Sequence, residues 1–156
     1  MPHLALQSAQ PDWRGLVDCI LRRGTPGRVH VIELALDREI QDAIAGEYRL
    51  LEGLDSTDRD FEFQRLLRVQ RFLGYDYVRC GLEGMEMPLN RQVVADTAGL
   101  QRAAGRAYMN EHRGPITTWE EFRTYPWPDP KAATSRALEW YQRHLPDDMC
   151  IVAGGG

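Results

Sequence analysis

Residues 28–36 read Arg-Val-His-Val-Ile-Glu-Leu-Ala-Leu, an almost unbroken apolar run held between the turn Thr25-Pro26-Gly27 and the polar residue Asp37. A strand that is apolar on both alternating faces has no side to offer to water. It fits a sheet covered by helices on both faces, which is the environment of parallel strands. Two more short apolar segments, 75–80 and 149–153, each follow a stretch with helical periodicity. Strands alternating with helices imply βα units and a parallel sheet.

The helices between them carry their own start and stop signals. Asp12 is placed to cap a helix over 13–23 in which Trp13, Leu16, Val17, Ile20 and Leu21 recur at three and four, with Gly24 at a left-handed stop. Asp37 caps a short helix after the first strand. Thr57 with Asp60 resembles a capping box before Phe63, Leu66, Leu67, Val69, Phe72 and Leu73, and Gly74 ends that helix. Thr118-Trp119-Glu120-Glu121 is a second capping box. Asp129 and Pro130 open a final helix with Ala137, Leu138, Tyr141 and Leu145 on one face. Residues 81–115 lack sustained periodicity and predict at most short strands or a helix around 100–106. The aromatic residues Trp119, Phe122, Tyr125 and Trp127, interleaved with prolines, are expected to pin an irregular segment, the other reading being a ligand platform.

A length of 156 residues suits one domain spanning 1–156, and 43% hydrophobic with 27% charged residues is an ordinary globular composition. The formal net charge of -4 gives no general attraction to nucleic acid or anionic lipid. The opening residues lack a signal-peptide pattern and no apolar run approaches the roughly 18 residues of a membrane span, so a cytoplasmic protein without membrane partners is expected. Cys19, Cys80 and Cys150 are odd in number and far apart, which matches neither a disulfide framework nor a zinc site. They read as small buried apolar side chains. The strand 149–153 runs into Gly154-Gly155-Gly156, a turn that calls for a covering helix, so the chain is expected to be the N-terminal piece of a longer protein.

Helix 13–23, the turn Thr-Pro-Gly-Arg-Val, the strand Val-His-Val-Ile-Glu-Leu, the segment Arg-Phe-Leu-Gly-Tyr-Asp-Tyr-Val, the stretch Thr-Trp-Glu-Glu-Phe-Arg-Thr-Tyr-Pro-Trp-Pro-Asp-Pro and Ile-Val-Ala-Gly-Gly-Gly together resemble the N-terminal part of the uroporphyrinogen decarboxylase superfamily. That resemblance implies an α/β fold, namely about the first three βα units of a (β/α)8 barrel. Decarboxylases of the family follow the first strand with Arg-Gln-Ala-Gly-Arg, which grips substrate carboxylates; this chain has Ala35-Leu36-Asp37-Arg38-Glu39 there. They carry an aspartate after the second strand, where this chain reads Arg79-Cys80-Gly81-Leu82-Glu83. The resemblance therefore points to the methyltransferase-like branch, with corrinoid-linked methyl transfer or demethylation. Its alternatives are uroporphyrinogen decarboxylation in porphyrin biosynthesis and a non-catalytic interaction module. It further implies a small-molecule substrate, a corrinoid protein as partner, and zinc and corrinoid in the full-length protein, with no metal ligand or cofactor assigned to residues 1–156. A partial barrel alone is expected to self-associate through its uncovered edges.

Within that frame Val31, Glu33, Ala35 and Asp37 share one strand face and Ile32, Leu34 and Leu36 the other, which is expected to meet the helices. Glu33 and Asp37 then rise along the barrel interior toward the C-terminal end, where such barrels place their chemistry, and are the candidate catalytic residues. Glu33 has a second reading as the ion-pair partner of Arg79, and Asp37 a second reading as a helix cap. Arg79, as an anion contact, and Glu83, in the loop after the second strand, are the candidate substrate-binding residues. Glu83 and Glu86 also read as solvated loop acids. Acids in place of arginines would suit a cationic, metal-bound or hydrogen-bond-donating substrate. His30 lies on the aliphatic face and reads as a satisfied core histidine. His112, in a polar stretch, reads as exposed.

Overall fold

The fold is seen in a computed structural model that describes residues 10–32, 36–89, 91–94, 106–109 and 112–154. It is a mixed α/β structure of two units, one made of residues up to Gly81 together with those from Ser135 onward, the other of Leu82–Thr134. No helix among the described residues is long and apolar enough to cross a membrane.

In the first unit, α1 (Trp13–Ile20), α2 (Arg38–Glu47) and α3 (Phe61–Phe72) lead into β1 (Tyr77–Cys80), and α5 (Arg136–His144) leads into β4 (Cys150–Ala153). β1 and β4 pair in parallel with Val78 opposite Ile151 and Arg79 opposite Val152. Val31 forms a parallel bridge with Tyr75. The parallel arrangement expected from the strand–helix alternation is therefore present. The first segment is far shorter than its apolar run suggested: Val29 is 89% exposed and Ile32 56%. Apolar composition makes a segment able to be buried, but burial needs a neighbour on each face, and over 29–32 only the bridge to Tyr75 supplies pairing. Residues 33–35 lie outside the described residues.

One face of the β1–β4 ladder makes the core. Val78, Ala137, Trp140, Tyr141 and Met149 are buried together, with Phe63, Leu66, Leu67 and Ile151 packed around them. Burying a side chain such as Val78 or Met149 contributes on the order of 1.5–3 kcal/mol relative to exposure. The positions 137, 140 and 141 are one turn of a helical stripe, so α5 packs into the core through Ala137, Trp140 and Tyr141, with Leu138 only half-buried. Burial among these side chains pushes the Tyr141 hydroxyl strongly toward its neutral form. On the outer side, Arg71 holds Asp148 through two hydrogen bonds of 2.6 and 2.9 Å, tying the end of α3 to the turn before β4.

Several local signals resolve differently from their sequence reading. α1 stops at Ile20, with Leu21 as its C-cap, because Arg22 already adopts a left-handed φ of 56° ahead of Gly24 at 126°. Thr57 does not cap α3; its backbone and hydroxyl both bond Asp55, and Asp60 stands at the N-cap without a side-chain cap bond. Asp129 caps a short 3₁₀ turn, Pro130–Ala132, separate from α5. Cys19 is exposed, against the expected burial, since it falls on the solvent side of α1; Cys80 and Cys150 are half-buried.

The second unit contains β2 (Arg91–Val94) and β3 (Arg106–Met109), paired antiparallel, and α4 (Trp119–Thr124). Arg106 is thus in a strand and not in a helix; residues 100–105 lie outside the described residues. The Thr118 capping box forms as read, with both reciprocal bonds to Glu121 present. Glu83 and Thr134 exchange two backbone hydrogen bonds of 3.0 Å, which pins the two ends of this unit together. The aromatic side chains pack on one another, with Trp119–Phe122, Phe122–Trp127 and Tyr125–Trp127 ring centroids 5.6, 5.2 and 4.7 Å apart.

Candidate functional site

The other face of the parallel ladder is not covered by α5; it is bordered by α1 and by the C-terminal end of α3 at Val69 and Gln70. Alternation along β1 sends Tyr77 and Arg79 to this face, and the register places Cys150 and Val152 beside them. Leu16 of α1 closes its lower end by packing on Tyr75 and Tyr77, which meet edge-on at 5.8 Å. Above them lies a cavity of about 510 Å³, within the size range of small-molecule sites. Leu16, Leu73, Tyr75 and Tyr77 form its lower wall, and Arg79 with Gly154 its upper rim. In open parallel sheets ligands bind beyond the carboxyl ends of the strands, which is where this rim sits.

Besides the tyrosines Tyr75 and Tyr77, the polar side chains that line the cavity are Arg79, Gln41 and Gln70. Arg79 is exposed at the rim, has no ion-pair partner among the described residues, and lies against the Gly154 backbone, so that a Cβ built on Gly154 would be 3.5 Å from its Nε. Gln41 is satisfied: its Nε2 donates to the Leu36 carbonyl at 2.7 Å and its Oε1 accepts from Arg65 at 3.3 Å. Gln70 is not. Its Oε1 is buried without a hydrogen-bond partner, a state that costs about 1–3 kcal/mol.

The rim depends on a close backbone approach. A Cβ on Gly81 would stand 2.6 Å from the Gly154 carbonyl oxygen, and the Gly154 N–H donates to the Cys80 carbonyl at 3.2 Å. Gly154 thus continues the ladder one residue past β4, the structural role of a residue read in sequence only as part of a glycine-rich turn.

Of the candidate residues, Arg79 reaches the cavity. Glu33 lies outside the described residues. Asp37 stands at the N-cap of α2, its carbonyl accepting from the Ile40 and Gln41 N–H groups, but its side chain makes no cap bond and does not line the cavity. Glu83 belongs to the second unit, where its backbone pairs with Thr134, and Glu86 accepts from the Gly84 N–H at 3.0 Å. Ile32 and Leu36, which their parity assigned to the helix-facing side, line the cavity together with residues of α1, α2 and α3; residues 33–35 between them lie outside the described residues.

At the opposite, N-terminal end of β1 sits a group the sequence reading passed over. Asp76 is fully buried and accepts from the Asp12 N–H at 2.6 Å, from His30 Nδ1 at 2.8 Å and from the Arg28 guanidinium. The signal was available: Arg28 and His30 are two apart and share a strand face, and Asp76 is flanked by two aromatic residues. His30 is the satisfied core histidine expected. Among the described residues no three His, Cys, Asp or Glu side chains converge as a metal site would require. Burial raises the thiols of Cys80 and Cys150, further from the thiolate a metal needs. These residues do not fit a zinc centre.

No protein family, no curated protein and no solved structure matches this chain.

Proposed function

We propose that the first unit supplies the opening βα units of a (β/α)8 enzyme resembling the uroporphyrinogen decarboxylase superfamily, on its methyltransferase-like side, acting on a small molecule in the cytoplasm with a corrinoid protein as partner. The observation that carries this reading is the strand order. Val31, Tyr75–Cys80 and Cys150–Ala153 lie side by side in chain order and in parallel, with a cavity along the face away from α5 whose rim lies at their carboxyl ends. Zinc and corrinoid would be held by parts of such a barrel other than the residues described above. Arg79 at the rim favours one second reading, a carboxy-lyase, because a guanidinium is suited to a substrate carboxylate.

The test is direct. Protein made from the full reading frame is assayed for loss of the methyl–cobalt absorbance of methylcobalamin with a thiol acceptor, and in parallel for carbon dioxide release from uroporphyrinogen. Methyl transfer without decarboxylation is the expected result. Decarboxylation alone selects the second reading, and neither activity in a folded protein overturns both.

A further inference from the structure

The cavity of the first unit joins an open apolar hollow to a single charge at its edge. Ile20, Ile32 and Val152 all line it and all remain open to water, at 64%, 56% and 42% exposure. Large aliphatic side chains opening together into one hollow form a surface that gains by meeting an apolar partner. Leu16, Leu73 and Tyr77 continue that surface. Among the described residues that line the cavity, Arg79 is the one charged side chain. Its Nε and Nη2 lie over Gly154, where even a Cβ would stay 3.5 and 3.6 Å away, and it has no ion-pair partner among the described residues. The Gln41 amide is already engaged with the Leu36 carbonyl and Arg65, and Gln70 Oε1 is shut away from any ligand by its burial.

We propose that this cavity binds an apolar monocarboxylic acid, its carboxylate on the Arg79 guanidinium at the rim and its hydrocarbon or aryl body against Ile20, Ile32 and Val152. An exposed arginine alone holds anions weakly, and an apolar hollow alone has no preference for charge. Joined at one rim, they select a molecule with one anionic end and one apolar end. The planar guanidinium matches the two oxygens of a carboxylate, and the contact is charge-assisted. The body gains by leaving water together with the three exposed aliphatic side chains. A second carboxylate further in would be stripped of water against Leu16 and Leu73 with no cation among the described lining residues to meet it, which is costly. That separates this ligand from a polycarboxylate. The proposal rests on the reading above in taking this cavity as the ligand site, and it names the ligand class without depending on which reaction follows.

The probe is biphenyl-4-carboxylate, a rigid two-ring acid, titrated calorimetrically at neutral pH into protein made from the full reading frame. Its comparators are biphenyl-4-carboxamide, which lacks the charge, benzoate, which lacks the second ring, and biphenyl-4,4′-dicarboxylate, which adds a second charge. The monoacid is expected to bind about tenfold more tightly than each of the three. Arg79→Gln should lower the monoacid to the level of the amide and leave the amide unchanged, which also shows that the variant is folded, while Arg79→Lys restores part of the loss. Ile32→Gln, at an exposed position, should weaken acid and amide alike. Equal binding of acid and amide, unaltered by Arg79→Gln, overturns the anionic end of the ligand, and tightest binding of the diacid overturns the single charge. If folded protein binds none of the four, the ligand class is overturned; sedimentation of that protein as a dimer would show a second copy covering Ile20, Ile32 and Val152 instead. Turnover in the methyl-transfer or decarboxylation assay by protein that binds none of them overturns this proposal and leaves the proposed function standing.

Discussion

His30 Nδ1 lies 2.8 Å from Asp76 Oδ2, and both side chains are removed from solvent. The same carboxylate takes the Asp12 N–H and the Arg28 guanidinium, so two segments distant in sequence converge on one buried charge. A buried carboxylate is tolerated only when paired and hydrogen-bonded, and here its partners are the start of α1 and the segment before Val31.

Replacing Asp76 by Ala should therefore destabilise the first unit by about 3–5 kcal/mol, the range for breaking a buried pair while its cationic partner stays in place. That is a large part of the 5–15 kcal/mol that holds a typical domain together. Denaturant titration reads it. A loss below about 1 kcal/mol would mean that Arg28 and His30 find water freely and that the cluster is not a structural hub.

The thiols give a second expectation. Cys19 is exposed on α1, whereas Cys80 and Cys150 are half-buried with thiols raised by that burial, Cys150 also by the nearby Asp76. The thiolate is the reactive form, so at pH 8 iodoacetamide should modify Cys19 well before the other two. Peptide mass mapping over a time course checks the order, and faster labelling of Cys80 would contradict its place against the core.

What could be read from the chain beforehand divides along a physical line. Segments whose burial follows from a local pattern came through: β1 and β4 after their helices, the Thr118 capping box, and the Phe63 to Leu67 face of α3. What failed depended on a distant partner. The run 28–36 is largely apolar in sequence, yet Val29 is 89% exposed, because apolarity does not say which neighbour arrives. Asp76 looked like an ordinary polar residue until Arg28 and His30 were brought to it. Of the cavity, Arg79 was legible as a cation in a short strand, read as an anion contact or as the ion-pair partner of Glu33. Gln70 was not, since nothing local distinguishes a glutamine whose carbonyl is left unpaired.

Glu121 sets a pH expectation for the second unit. The Thr117 hydroxyl and N–H and the Arg113 guanidinium hold its carboxyl at about 2, against an ordinary value of 4.5. Because the folded value is depressed, its contribution to the α4 cap is complete above about pH 4.5 and fades as pH falls through about 2. The Thr118 amide resonance should follow that low titration in wild type and lose it in Glu121→Gln. A midpoint near 4.5 would show that the capping box does not persist in solution.

The final expectation concerns the rim of the cavity. Gly81 follows β1 directly, and a Cβ there would stand 2.6 Å from the Gly154 carbonyl oxygen, inside any tolerable contact. The obstructing atom is backbone, so no side-chain rotation relieves it; either the end of the ladder opens or Gly154 moves away. Opening would break the Gly154 N–H bond to the Cys80 carbonyl and take the backbone that lies against the Arg79 guanidinium with it. Gly81→Ala should therefore cost about 1–3 kcal/mol, as overpacking does, and should weaken capture of a carboxylate at the rim by more than that stability loss alone would. Leu82→Ala, one residue on and half exposed, serves as the control and should leave ligand capture unchanged. If Gly81→Ala binds biphenyl-4-carboxylate as wild type does, the rim is not shaped by this contact and Arg79 is held by something else.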